Sequence, residues 1–247
     1  QALGILREFD LRGESPDSLP AQHRAIEAMK LAFADAYAHV ADLDHMRVTP
    51  QALLDRAYLA SRARLIDMTR AQDFGPGEPP RGGTVYLATG DADGTMVSLI
   101  QSNYMGFGSG VVVPGTGISL QNRGAGFTLE PGHPNQVGPG KRPFHTIIPG
   151  FLTRAGQPLM SFGVMGGDMQ AQGHVQVLLN IIDFGMDVQR AGEQPRFRHF
   201  DSGLALESAI GADVRKALEA KGHQLTISPG MFGGYQAIMI DPKTDAL

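Results

Sequence analysis

The sequence predicts a layered sandwich of helices and sheets. Helical periodicity dominates the first third, and short β-branched runs with turn signals follow it. One long apolar segment among those runs suits a helix buried between layers. Glycine is abundant, 32 of 247 residues with 16 prolines, and clusters between the apolar runs without a fixed period. That signals tight turns and close backbone approaches, not a collagenous or disordered chain.

From 21 to 68 the pattern is helical. AQHRAIEAMKLAFADAYAHV sets Ile26, Met29, Leu31, Ala32, Phe33 and Tyr37 at near-helical spacing. Thr49-Pro50 opens a second helix, a capping hydroxyl followed by a proline in the first turn, with Leu53, Leu54, Ala57, Tyr58 and Leu65 as its stripe. Residues 71–83, AQDFGPGEPPRGG, have linker composition. TVYLAT, a DADG turn and TMVSLIQSNY form a predicted hairpin. GVVV, GISLQ, HTIIPGFL and PLMSFGVM read as further strands, the last two joined by RAGQ. HVQVLLNIIDFGM, apolar almost all round, is the predicted buried helix. A segment at 196–200, a helix near 212–221 and a closing strand GGYQAIMI complete the chain.

Composition narrows the function. A net charge of -4 leaves no basic footprint for nucleic acid. Without cysteine there is no disulfide, thiolate metal site or cysteine nucleophile, and the compartment stays open. No run approaches 18 apolar residues, so no membrane span is predicted. The chain opens at Gln1 without a signal-peptide pattern, which is compatible with a leader already removed. GxSxG, HExxH and GxxxxGK[ST] are all absent. The eight histidines show no i, i+4 pairing with one another, and no metal or organic cofactor is expected. FGSG at 107–110 lacks dinucleotide-fingerprint spacing and reads as a turn.

A nucleophile must then be Ser, Thr, Lys, Asp, Glu, His or Tyr. In PPRGGTVYLATGDADG a Pro/Gly loop ends and a strand begins at Thr84. Thr84 is either an ordinary strand start or a residue freed as a new N-terminus. A freed threonine carries its own general base, since its α-amine can take the proton from Oγ. With a reference pKa of roughly 8, that amine is partly unprotonated at neutral pH.

LGILREFDL, HRAIEAMKLAFADAYAHVADLDHMRV, MVSLIQSNYMGFGSG, GISLQNRGAGF, PGKRPFHTIIP and GVMGGDMQAQGHVQVLLNIIDFGMDVQRAGEQPRF occur in an order and spacing that resembles the γ-glutamyltransferase (γ-glutamyltranspeptidase) family of N-terminal-nucleophile hydrolases. The resemblance spans nearly the whole chain. It implies an α+β fold, the four-layer αββα sandwich, here an incomplete portion of it. It also implies a division into 1–83, the end of the large-subunit region with the processing linker, and 84–247, the small-subunit region. Thr84 would be the nucleophile, freed by autocatalytic cleavage of the Gly83–Thr84 bond. Ser102 stands where the family has a hydroxyl bonded to the nucleophile. Asn103, or Tyr104 on an ungapped match, stands at an asparagine near the threonine amine. Gly166 and Gly167 match the pair whose N–H groups form the oxyanion hole, where the absence of Cβ lets backbone approach substrate.

The departures concern the acyl group. Arg123 and Gly126 occupy the positions of the Gln and Asp that grip the substrate's α-amino group, and His145-Thr146 replaces the Ser-Ser pair that binds its carboxylate. Losing the carboxylate that pairs an ammonium forfeits a charge-assisted hydrogen bond, about 2 kcal/mol. Arg123 favours an anion instead. The resemblance therefore implies a transferase/hydrolase of glutathione-like γ-glutamyl amides, with two alternatives: an acylase for glutaryl-type amides without an ammonium, or a non-catalytic uncleaved homologue. The expected partner is the remaining N-terminal part of the large subunit. Asp168, after the glycine pair, reads as the cap of the buried helix or as a substrate contact. Lys141-Arg142, His133, His199, His223, Met160, Met165 and Met169 read as structural.

Overall fold

The computed structural model describes residues 1–74, 83–200, 202–226, 232–241, 244 and 246–247. Most of the predicted linker, 75–82, lies outside them. Short α1 (Ala2–Leu6) leads into α2 (Leu19–His39), where Ser18 Oγ accepts the Ala21 N–H at 3.3 Å. The second predicted helix is in fact two, α3 (Pro50–Leu53) and α4 (Arg56–Ala63). Thr49 caps the first as expected, but Asp55 accepts the Tyr58 N–H at 2.8 Å and starts a new helix. The predicted stripe is broken there, and Leu54 and Leu65 are exposed.

The hairpin forms β1 (Gly83–Gly90) and β2 (Met96–Tyr104), antiparallel across an Asp91 turn. GVVV and GISLQ are not strands; a single bridge, Val112↔Ser119, joins them. They carry exposed Val111, Val112 and Ile118 and have no sheet to lie on. β3 (Gly150–Arg154) and β4 (Gln157–Val164) follow, then α5 (Met169–Ile182), α6 (Val188–Glu193), β5 (Phe197–Phe200), β6 (Gly203–Leu206), α7 (Ala212–Ala220), β7 (Leu225–Thr226) and β8 (Tyr235–Met239). Of HTIIPGFL, only Gly150 onward is extended enough to pair. Two three-stranded sheets result, β3-β4-β8 and β5-β6-β7.

The layers stack on β4. On one side Gly173 of α5 meets Val164, where a Cβ would come within 2.5 Å of Val164 Cγ1. On the other, Gly163 faces the Tyr86 ring, so the hairpin closes onto the sheet. Tyr86 Oη shares a hydrogen with Ser98 Oγ at 2.8 Å, tying both hairpin strands there. The main apolar core gathers α1, α2, α4, α5, α7 and the β5-β6-β7 sheet, with Ile5, Ile26, Leu31 and Leu218 fully buried. The α5 helix is buried as predicted, but its buried surface is partly polar. The Gln172 amide donates to His199 O (3.0 Å) and accepts from His199 N (2.7 Å), and Gln176 does the same at Phe197 (3.0 and 2.9 Å). These amides act as a neighbouring strand for the edge of β5, satisfying backbone groups that burial would otherwise leave unpaired. Across the hairpin the outer face, Val85, Leu87, Val97 and Leu99, is exposed. The described residues thus form helix, sheet and sheet of the expected sandwich, without a helical layer on that outer face.

Candidate active site

Alternation along β1 places Thr84 on the same face as buried Tyr86, toward β4, while Val85 and Leu87 point outward. Thr84 stands directly across from Ser102 on β2, and its Oγ1 donates to Ser102 Oγ at 3.3 Å. The next pair is Gly83↔Tyr104, so Asn103 is an extra residue bulged out of β2. Tyr104 takes up the bulge with φ 75°, a left-handed conformation rare for a side chain of this size. That turn brings its N–H back onto Ser102 Oγ at 2.9 Å. The amine that would serve as base exists only once the Gly83–Thr84 bond is cut.

The Tyr104 ring supports Arg123, whose guanidinium carbon lies 4.8 Å from the ring centroid. Arg123 is 93% buried, since only 7% of its surface is exposed, and among the described residues its Nε and Nη1 have no hydrogen-bond partner. Burial lowers its pKa, and the nearby Tyr104 and Asp168 counter part of that effect. Arg123 and Tyr104 line a cavity of about 310 Å³ together with Gly126, His145, Thr146, Asp168 and Tyr37. Thr146 Oγ1 is a second buried polar atom without a partner there. His145 accepts the Ile147 N–H on Nδ1 at 3.2 Å, so its neutral ring carries the proton on Nε2. Burial, with Arg123 and Arg142 adding to it, lowers the His145 pKa and keeps the ring neutral near pH 7. A guanidinium, a hydroxyl and an imidazole N–H in one cavity can hold a carboxylate.

Position 126 has no room for a side chain. A Cβ there would lie 2.6 Å from the Phe144 carbonyl oxygen. Asn135 fixes that approach, donating to Gly126 O at 2.6 Å and accepting the Phe144 N–H at 2.9 Å. The acid in this cavity is Asp168 instead. It holds the position before α5, yet its side chain makes no capping bond; its Oδ2 accepts from Tyr37 Oη at 3.5 Å. The helix-cap reading of Asp168 is therefore corrected: the carboxylate faces the cavity.

Gly166 and Gly167 link β4 to α5 with φ of 119° and 63°. A Cβ on Gly166 would meet Gly233 Cα at 3.3 Å and Met169 Cβ at 3.2 Å, so backbone geometry and space both call for glycine. Their N–H groups lie at the N-terminus of a 14-residue helix, where partial positive charge accumulates and anions bind. The structure thus chains Thr84, Ser102, Tyr104 and Arg123 by direct contacts. It gathers Tyr104, Arg123, His145 and Thr146 around one cavity, which Asp168 connects to the glycine pair. Asn103 does not line that cavity.

A second polar cluster escaped the sequence reading. Ligand atoms of His23, Glu27 and His223 lie within 4.8 Å of one another, with His23 Nδ1 and His223 Nε2 sharing a hydrogen at 2.9 Å. The spacing that signals it is His–Glu at i, i+4 on α2, which His–His spacing does not reveal. Lys30 Nζ donates to Glu27 Oε1 at 2.8 Å and already supplies a cation there. Lys30 and Glu27 also bond the Gln72 backbone, pinning the segment that precedes the linker. His223, His199 and His174 are held neutral by burial, with pKa values lowered to about 3, 4 and 4. Met160 and Met169 are fully buried, as structural residues should be. No helix among the described residues is long and apolar enough to cross a membrane.

The chain is 41% identical over 233 residues to the oxamate amidohydrolase proenzyme of Klebsiella pneumoniae, covering 92% of this chain and 44% of that protein. It is 35% identical over 246 residues to the acylase ACY 1 proenzyme of a Pseudomonas strain, covering 98% and 44%. A crystal structure of cephalosporin acylase from Bacillus halodurans superposes with a TM-score of 0.89 at 47% identity, over 99% of this chain and 45% of that one. The chain thus spans a little under half the length of these relatives. The family model for gamma-glutamyltranspeptidase matches residues 1–247. With the threonine strand, the positive-φ glycine pair and this superposition in agreement, the chain belongs to the gamma-glutamyltranspeptidase family.

Proposed function

We propose that the chain carries the nucleophile of an amide hydrolase and acyltransferase, activated by its own cleavage. Thr84 Oγ attacks the Gly83 carbonyl carbon, the C–N bond breaks, and the nitrogen leaves as the Thr84 α-amine. Water then hydrolyses the resulting ester, leaving a carboxylate on Gly83. In turnover the amine takes the Oγ proton as Oγ attacks the substrate carbonyl. Gly166 and Gly167 N–H groups stabilise the oxyanion, and the leaving amine departs with the proton. Water or an acceptor amine resolves the acyl-enzyme. Ser102 holds Thr84 Oγ in its attacking orientation.

The substrate class we infer is the amide of a dicarboxylic acid lacking an α-ammonium, such as a glutaryl amide. One observation carries this: Arg123 and Thr146 offer unpaired donors in a cavity where Phe144 O excludes an acid at position 126. The names oxamate amidohydrolase and acylase among the relatives support it. A γ-glutamyl amide is the second reading, favoured by the Asp168 carboxylate in the same cavity, which can pair an ammonium. We further propose that 1–83 ends a large-subunit region, that 84–247 forms the small one, and that a preceding polypeptide completes the assembly. Comparing turnover of glutaryl-p-nitroanilide with γ-glutamyl-p-nitroanilide is the test. Faster cleavage of the γ-glutamyl compound would reverse the order of the two readings. Processing or activity that survives Thr84→Ala would overturn both.

A further inference from the structure

We propose that Tyr104 is a ruler between nucleophile and acyl-chain carboxylate, a positioning residue that selects substrate length. This rests on the reading of the cavity as a carboxylate site. Tyr104 is one of two non-glycine residues with positive φ among the described residues; the other, Ala155, sits in the β3–β4 turn. A strained conformation persists only when its surroundings over-determine it. At Tyr104 two contacts do so, at opposite ends of one residue. The backbone N–H is fixed on Ser102 Oγ at 2.9 Å, and through it on Thr84 Oγ1 at 3.3 Å. The ring carries the Arg123 guanidinium at 4.8 Å. The Asn103 bulge is itself clamped, since Asn122 N donates to Asn103 O at 3.2 Å and Asn122 Oδ1 accepts the Met105 N–H at 3.0 Å. The attacking oxygen and the cation are therefore held at a set separation by one side chain and its own peptide. An acyl chain whose carbonyl reaches Thr84 while its carboxylate reaches Arg123 must match that separation.

Backbone and ring make separable contributions. Glycine at 104 keeps the N–H and adopts positive φ freely, but removes the support under Arg123. Alanine removes the same support and, with no ring to hold it, retains the steric penalty of the left-handed region. Phenylalanine keeps ring and backbone. The experiment measures kcat and KM on the p-nitroanilides of malonic, succinic, glutaric and adipic monoacids for the wild type, Tyr104→Phe, Tyr104→Gly and Tyr104→Ala. Calorimetric titration of the same proteins with the free dicarboxylates gives a readout that needs no turnover.

The wild type should prefer one length over its neighbours by about tenfold, the scale on which pockets discriminate a methylene. Tyr104→Phe should restore that preference. Tyr104→Gly should flatten it to within about threefold in both readouts. Tyr104→Ala should flatten it equally and lose roughly a further tenfold in kcat, the factor expected from unsupported left-handed backbone. A wild-type length preference retained in Tyr104→Gly and Tyr104→Ala would overturn the ruler. So would free dicarboxylates that fail to bind the wild type. If no protein turns over an amide, yet dicarboxylates bind with a length preference that Tyr104→Gly abolishes, the ruler stands and the Thr84 chemistry fails.

Discussion

Replacing Arg123 with methionine separates recognition from stability. The guanidinium is buried with Nε and Nη1 unpartnered, so its donors are available to a substrate and are a burden without one. A hydrogen bond to a charged group contributes about 1.5–3 kcal/mol, and leaving a buried donor unsatisfied costs about 1–3 kcal/mol. Losing the carboxylate contact should lower kcat/KM on glutaryl-p-nitroanilide by about 3 kcal/mol, roughly a hundredfold. A butyryl-p-nitroanilide, which has no carboxylate, should change little. For stability, relief of the two orphaned donors opposes loss of the stacking on Tyr104, about 0.5–2 kcal/mol. Arg123→Met should therefore melt at or above the wild-type temperature. The reasoning fails if kcat/KM on the glutaryl substrate stays within threefold of wild type. It also fails if the variant melts lower and loses both substrates in proportion, since Arg123 would then be a fold residue.

Thr84→Ala should leave the Gly83–Thr84 bond unbroken, with background activity, while the parent resolves into two species with a boundary at Gly83/Thr84, both read by denaturing mass spectrometry. Gly126→Asp should destabilise the protein by about 1–3 kcal/mol, because Phe144 O already fills the space, and should not raise the γ-glutamyl to glutaryl activity ratio. Thermal unfolding should show lower stability as pH falls from 6.5 toward 4. His174, His199 and His223 have folded pKa values of about 4, 4 and 3, below their unfolded values, so the unfolded chain takes up protons that the native one refuses. Their combined slope is at most about 4 kcal/mol per pH unit. A melting temperature that is flat over that window would refute the burial of these rings.

The amino-acid pattern located much of this protein because the signals were local. The β-branched run after a Pro/Gly loop placed β1, DADG placed its turn, and the long apolar stretch placed α5. Thr49 and Pro50 were legible as a helix start, yet Asp55 ended that helix early by capping the next one. GVVV and GISLQ failed for the opposite reason: their strand propensity had no sheet edge to satisfy it. The polar side of α5 was also illegible, because Gln172 and Gln176 look like interruptions until β5 lies beside them.

By itself, the sequence singled out Thr84 as the candidate nucleophile through its resemblance to the family, placed the glycine pair after β4, and showed that position 126 lacks an acid. All of these are identities at fixed places along a strand or turn, set by side-chain chemistry and local backbone freedom. Only the tertiary structure decided what surrounds them. It turned Asp168 from a cap into an acid facing the cavity, stacked Arg123 on Tyr104 and left its donors unmatched, and put Phe144 O where an acid would go. It also joined His23 and Glu27 to His223. Those outcomes depend on distances between residues far apart in the chain, and on the burial that makes an unpaired donor costly.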